Sequence, residues 1–152
     1  MTEKNASVHW EGPGKKGQGQ ISTETGALKR HPYGFASRFE DDRRGTNPEE
    51  LVGAALAACF TMAFSSACDK AGFATSSIDT HAHVRLSAQG EGFAIDRIAM
   101  SLHASVPGLT EARFQELALA ATRDCPLSKA LSGVGEMTLE ATLQGPSERG
   151  PA

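Results

Sequence analysis

The amino-acid sequence predicts an α+β fold in which an antiparallel sheet is wrapped around one long central helix. The eighteen residues 51–68 carry no charge and place apolar side chains on every side of a helical wheel, which indicates a helix buried all round. Between residues 79 and 88, apolar and polar side chains alternate strictly, which is typical of a strand with one buried face. Several such strands around one apolar helix predict a sheet that curves about it.

The N-terminal part of the chain predicts three short strands. Residues 8–11 and 18–23 are the first two, and the turn-forming sequence Gly-Pro-Gly-Lys-Lys-Gly separates them. The aromatic-rich residues 34–40 are the third candidate, followed by a charged loop. We expect one ordered domain over about residues 6–144, with a disordered tail at residues 145–152 because this tail is polar and contains Gly and Pro.

The central helix has a clear start and end. Asn47 can cap it, Pro48 suits its first position, and Glu50 can complete a capping box. Gly72 marks the end of the helical segment.

The C-terminal half predicts three strands and a second helix. After the strand at residues 79–88, the apolar positions of the next strand run from Ile98 to Val106. Phe93 and Ile95 are out of phase with them, which predicts a bulge near Asp96. Residues 137–143 give a final half-buried strand.

The second helix is predicted to end at a cysteine. Thr110 is its N-cap, and Pro126 breaks it directly after Cys125. Pro126 also suits the start of a short helix through Leu131, which places Cys125 at the cap position, where the helix dipole lowers the pKa of a thiol. The apolar face of the second helix consists of Phe114, Leu117, Ala118 and Ala121.

Composition excludes several classes of function. The chain has 152 residues, a net charge of −3 and no basic run, which disfavours nucleic-acid binding. The uncharged run is short of the roughly 20 residues that a membrane span needs, and no Lys/Arg cluster flanks it.

The three cysteines, Cys59, Cys68 and Cys125, cannot all pair within one chain and lack zinc-finger spacing. No signal-peptide pattern opens the chain, so we expect a reducing cytoplasm, where a paired thiol is redox-active. His81 and His83 share one strand face, but no third ligand accompanies them. The sequence therefore predicts neither a metal site nor a cofactor.

Burial of the central helix predicts a homodimer. One sheet covers only one side of a helix that is apolar on all sides. The simplest remedy is a second copy of the chain, with two central helices packed together and a sheet outside each.

Three linked motifs stand out in the sequence: Asn47-Pro-Glu-Glu-Leu with Ala-Ala-Cys59-Phe, Pro32-Tyr-Gly-Phe-Ala-Ser-Arg38-Phe, and Cys125-Pro-x-Ser. Together they resemble the OsmC/Ohr family of thiol peroxidases, over about residues 8–143. His9-Trp-Glu-Gly and a glycine after Val106-Pro107 fit the osmotically inducible OsmC branch.

This resemblance implies an intertwined homodimer with active sites at the subunit interface. It implies reduction of organic hydroperoxides, and less readily hydrogen peroxide, in oxidative and osmotic stress defence. Cys59 would be the peroxidatic cysteine and Cys125 the resolving cysteine, with Arg38 and Glu49 as the family's catalytic arginine and glutamate. The reductant would be a dithiol such as dihydrolipoamide or a lipoylated protein. Cys68 matches no family motif.

Elementary chemistry favours the same residue types. A thiol on an apolar helix has a raised pKa, so a nucleophilic Cys59 needs a cation nearby, and Arg stays charged when buried. A carboxylate such as Glu49 can hold the guanidinium of Arg38 bidentately. Glu49 lies ten residues, about 15 Å, from Cys59 along the helix. Residues of one site therefore come from opposite subunits, or the arginine bridges part of the distance.

Two other functions remain open at this point. A helix wrapped by a sheet also describes hot-dog thioesterases, in which Glu49 would be essential and the cysteines dispensable. A non-enzymatic dimeric binding module would have thiols that do not respond to peroxide.

Overall fold

The computed structural model describes residues 1–145 of the chain. These residues form two compact units, one of residues 1–51 and one that begins at Val52. The predicted disordered tail falls almost entirely on residues 146–152, which lie outside the described residues.

The first unit contains a three-stranded antiparallel sheet and a short helix. The strands are β1 (Ala6–Glu11), β2 (Gln18–Thr23) and β3 (His31–Tyr33), paired in the order β1-β2-β3. The first two predicted strands are confirmed. All six residues of β1 are exposed, so the described chain covers little of this sheet.

The predicted strand at residues 34–40 is wrong, because this segment forms helix α1 (Phe35–Phe39). The Ser37 hydroxyl closes the turn by accepting from the Gly34 amide at 3.0 Å, and it lies 2.8 Å from the Thr46 carbonyl oxygen. Asn47 Nδ2 donates to the Ser37 carbonyl oxygen at 3.1 Å. These side-chain contacts satisfy the backbone locally and override the strand preference of the aromatic residues.

The long helix α2 (Pro48–Lys70) begins as predicted. Asn47 Oδ1 accepts from the Glu50 amide at 2.7 Å, which is the expected N-cap. The capping box is not completed, because the Glu50 carboxylate accepts instead from the Thr46 hydroxyl at 2.8 Å. Gly72 follows the end of the helix with φ of 90°, a conformation that favours glycine.

Residues 1–145 bury only one face of α2. Leu56, Phe60, Phe64 and Cys68 are fully buried in the core of the second unit. The opposite face carries Ala54, Ala58, Met62 and Ser66, all exposed. By length and composition alone α2 is apolar enough to cross a membrane, but one of its faces is committed to this core.

The second unit holds a mixed three-stranded sheet. Strands β4 (Ser77–Gln89) and β5 (Gly92–Ser105) form an antiparallel hairpin whose register shifts between Arg85 and Leu86. Asp96 is the extra residue, which confirms the predicted bulge. The last strand, β6 (Glu136–Leu143), pairs with β5 in parallel, in a sheet predicted to be antiparallel.

Two helices connect β5 to β6, as a parallel pairing requires. They are α3 (Glu111–Asp124), capped by Thr110 as predicted, and α4 (Pro126–Ala130). The predicted apolar face of α3 is buried. The rings of Phe114 and Phe64 pack edge to face, with their centroids 5.6 Å apart. The α+β fold with a long central helix is confirmed.

Candidate active site

Two cysteines far apart in sequence meet in the second unit. Cys59 lies on α2 and is half-buried, whereas Cys125 is fully buried at the junction of α3 and α4. Their Sγ atoms are 2.9 Å apart and hydrogen-bonded. Both thiols are free, so this is a contact between two reduced cysteines.

The break between α3 and α4 positions the Cys125 thiol. The buried face of α3 carries the chain toward α2, and Cys125 leaves the helical conformation with ψ of 119°. Pro126 then begins α4, so Cys125 serves as C-cap of one helix and N-cap of the next. This confirms the arrangement predicted from the Cys-Pro sequence.

The surroundings of Cys59 work against its ionisation. Burial raises the pKa of the Cys59 thiol, and its hydrogen bond with Cys125 raises the pKa further. The Leu127 amide at the start of α4 opposes this rise only in part. Among the described residues of its own unit, 52–145, no cation therefore lowers the pKa of Cys59 as a nucleophilic thiolate needs.

Cys125 shows the opposite balance. Burial also acts to raise the pKa of this thiol, but its hydrogen bond with Cys59 and the nearby polar groups of Ser128 outweigh burial and lower the pKa. The amide and the hydroxyl of Ser128 both act on the Cys125 sulfur in this direction, although the hydroxyl makes no hydrogen bond of good geometry among residues 1–145. The direction agrees with the expectation for a thiol at a helix N-terminus.

The first unit brings Arg38 and Glu49 together. Arg38 Nε lies 3.1 Å from Oε1 and 3.3 Å from Oε2 of Glu49, and Nη2 lies 2.8 Å from Oε1. The Glu49 side chain is 9% exposed, and that of Arg38 is 38% exposed. The guanidinium carbon lies over the Phe39 ring, 5.3 Å from the ring centroid, and this contact further restrains the arginine. Glu49 thus fixes the guanidinium while leaving Nη1 for another acceptor.

The remaining candidates are separate from these pairs. Cys68 is fully buried in the core, as expected for a packing residue. His81 and His83 are exposed on one face of β4. Among residues 1–145, no group of three His, Cys, Asp or Glu side chains is arranged to hold a metal ion.

Ser128 is the site residue to which sequence reasoning assigned no role. It occurs in the Cys-Pro-x-Ser motif, but a serine in a short helix is unremarkable by itself. The available signal is its spacing, since a residue three positions after an N-cap can interact with the cap side chain.

Comparisons with known proteins agree on one family. The sequence model described as "OsmC-like protein" matches residues 40–140. Peroxiredoxin OsmC of Escherichia coli K12 is 47% identical over 141 residues, covering 93% of this chain and 96% of that protein, and the Shigella flexneri protein of the same name matches equally.

Solved structures show the same fold. An organic hydroperoxide resistance protein OsmC from Legionella pneumophila matches with a TM-score of 0.67 and 26% identity, covering 95% of this chain and 98% of that one. The organic hydroperoxide resistance protein OhrB of Bacillus subtilis matches with a TM-score of 0.65 and 27% identity, covering 92% and 98%.

Proposed function

The chain belongs to the OsmC family, and on this premise we propose that it is a thiol-dependent peroxidase that reduces organic hydroperoxides to alcohols. The observation that carries the proposal is the 2.9 Å contact between Cys59 and Cys125. A thiol pair in contact can pass from dithiol to disulfide, releasing the two electrons that reduction of one peroxide consumes.

In the first step, the Cys59 thiolate attacks the hydroperoxide oxygen that bears hydrogen. The O–O bond breaks, and the alkoxide takes up a proton and leaves as an alcohol. Cys59 becomes a sulfenic acid. Cys59 is suited to this step because it is the more exposed of the two thiols.

In the second step, the Cys125 thiolate attacks the sulfur of the Cys59 sulfenic acid. A disulfide forms, and hydroxide leaves and is protonated to water. The lowered pKa of Cys125 supports this role, because only the thiolate is nucleophilic. A dithiol reductant, of which dihydrolipoamide or a lipoylated protein is our candidate, then restores both thiols.

Arg38 and Glu49 complete the proposed mechanism. Arg38 would supply the positive charge that stabilises the Cys59 thiolate and the developing charge on the peroxide oxygens. Glu49 would orient the guanidinium, a role supported by its ion pair with Arg38, in which both carboxylate oxygens are engaged. The same ion pair disfavours the thioesterase alternative. The Glu49 carboxylate already accepts three contacts from the Arg38 guanidinium, so it is poorly placed to act as a general base.

The proposed assembly is a homodimer. The exposed side of α2, with Ala54, Ala58 and Met62, is an apolar face that the described residues 1–145 leave uncovered. Packing against the same face of a second copy would bury it, in agreement with the burial argument from the sequence. We place the protein in the cytoplasm, where a dithiol reductant keeps such a cysteine pair active.

Thiol titration tests the function directly. The reduced chain has three titratable thiols, and one equivalent of cumene hydroperoxide should remove two of them, with formation of one equivalent of cumyl alcohol. Cys59→Ser should form no alcohol. An unchanged thiol count after peroxide treatment would leave the binding-module reading as the better one.

A further inference from the structure

The two sulfurs of the cysteine pair differ in their access to solvent. Cys125 is 0% exposed in a single chain, and association with another chain can only reduce access further. Cys59 is half-buried and lies at the accessible side of the pair. An external thiol that approaches the oxidised pair therefore meets the sulfur of Cys59 first.

Ser128 stands in a special relation to Cys125. Cys125 is the N-cap of α4, and Ser128 is the third residue of that helix. In a capping box, residues at these two positions exchange hydrogen bonds. The Ser128 Oγ is buried and, among residues 1–145, makes no hydrogen bond of good geometry. A buried hydroxyl without a satisfied partner is costly, and an anion at Cys125 would satisfy it.

Resting on the proposed function, we infer that the reductant attacks the sulfur of Cys59 and that Cys125 leaves as a thiolate held by the hydroxyl and amide hydrogen of Ser128. The reductant thus opens the disulfide by attack on Cys59 Sγ and not on Cys125 Sγ. The lowered pKa of Cys125 agrees with this assignment, because the thiol of lower pKa is the better leaving group.

The electron balance requires a dithiol. Its first thiolate forms a bond to Cys59 Sγ, the Cys59–Cys125 bond breaks, and the electron pair departs on Cys125. The second thiol of the reductant, as thiolate, then attacks the reductant sulfur in the mixed disulfide and closes a cyclic disulfide. Cys59 is released as a thiolate, and two electrons have passed from the reductant to the protein.

A trapping experiment on the unmodified chain tests the direction of attack. The protein is oxidised with one equivalent of cumene hydroperoxide, exposed briefly to the monothiol 2-mercaptoethanol, and quenched with N-ethylmaleimide before peptide mapping. We expect the mercaptoethanol adduct on Cys59 and the maleimide on Cys125. An adduct found mainly on Cys125 would overturn the inference.

The role of Ser128 is tested by Ser128→Ala, with Ser132→Ala as the matched control. Ser132 is exposed in the turn after α4. Ser128→Ala should slow reduction of the preformed disulfide by dihydrolipoamide about tenfold, the effect of roughly one hydrogen bond to a charged group. Ser128→Thr, which keeps the hydroxyl, should restore most of the rate, and Ser132→Ala should match the parent chain.

A titration separates this role from a structural one. In the Cys59→Ser background, Ser128→Ala should raise the pKa of Cys125, measured by the ultraviolet absorbance of the thiolate. An unchanged pKa together with an unchanged reduction rate would refute the role of Ser128.

The proposed function and this inference fail differently. If cumene hydroperoxide forms no disulfide, the peroxidase function fails. If the disulfide forms normally but the adduct lies on Cys125, or Ser128→Ala is reduced at the parent rate, only the inference fails.

Discussion

Cys59 Sγ and Cys125 Sγ lie 2.9 Å apart, although the two residues are 66 positions apart along the chain. The contact joins the middle of the long helix α2 to the short break between α3 and α4. Cys125 is fully buried and Cys59 is not. The thiol of Cys59 is thus partly accessible from solvent, whereas the thiol of Cys125 is enclosed.

Peroxide treatment should produce one specific disulfide. Cumene hydroperoxide should link Cys59 to Cys125 within one chain and leave Cys68 free, because Cys68 is packed in the core away from the pair. Peptide mapping under non-reducing conditions measures the linkage. Cys68→Ala serves as control and should form the same disulfide, whereas Cys68 in the bridge would refute the assignment.

Loss of Cys125, the proposed resolving cysteine, should stop the reaction after its first step. Cys125→Ser should consume one equivalent of hydroperoxide and accumulate a sulfenic acid on Cys59, because no second thiol is in contact with it. Mass spectrometry after dimedone labelling measures this species. With excess peroxide, sulfinic acid should appear. Turnover at the parent rate by this variant would show that Cys125 does not resolve the sulfenic acid.

Removal of Arg38 should shift the pH dependence of peroxide reduction. Burial raises the pKa of Cys59. Thiolate is the major form only above the pKa, and its fraction falls about tenfold per pH unit below it. Loss of the cation that we propose for Arg38 therefore moves the rate profile to higher pH. We expect a shift of about one unit or more for Arg38→Ala, or about tenfold in rate near neutral pH. Stopped-flow rates across the pH range measure it.

Arg38→Lys is the matched comparison. An ammonium keeps the charge but lacks the planar fork that engages both oxygens of Glu49. We therefore expect Arg38→Lys to recover little of the peroxidase activity that Arg38→Ala loses. Full activity with Lys would show that charge alone is sufficient.

The exposed face of α2 should prove essential for assembly. Ala58→Glu places a carboxylate on the face that we assign to the dimer interface, where an unpaired charge is strongly unfavourable. Sedimentation should show loss of the dimer, and thermal unfolding of the parent chain should depend on protein concentration. Ala112→Glu, on an exposed position of α3, is the control and should remain dimeric.

Mixed dimers should reveal whether a site is shared between subunits. Cys59→Ser chains and Glu49→Gln chains are each expected to be inactive. A heterodimer of the two would contain one intact site if Glu49 serves the Cys59 of its partner, and should recover about half of the parent rate.

The control mixes Cys59→Ser with Cys125→Ser. Both thiols belong to one unit of one chain, so these heterodimers should reduce peroxide no faster than the two variants do separately. No recovery in either mixture would place Glu49 and Cys59 of each site in the same subunit.

Local features of this protein were determined by the sequence itself. Asn47 as cap of α2, the bulge at Asp96, and the helix break at Cys125 depend on residues within a few positions of one another. Caps, alternation and proline act through backbone hydrogen bonds and sterics that are already present in a short segment. These predictions were therefore correct.

Contacts over longer distances were decided by the tertiary structure. Residues 34–40 become a helix because Ser37 and Asn47 bond across the loop that joins α1 to α2. The parallel pairing of β6 with β5 depends on where α3 and α4 return the chain. The spacing of Cys59, Cys125 and Ser128 in sequence does not contain the burial that leaves the sulfur of Cys59 partly accessible and encloses the sulfur of Cys125. Burial is a property of the packed core, so only the folded chain decides it.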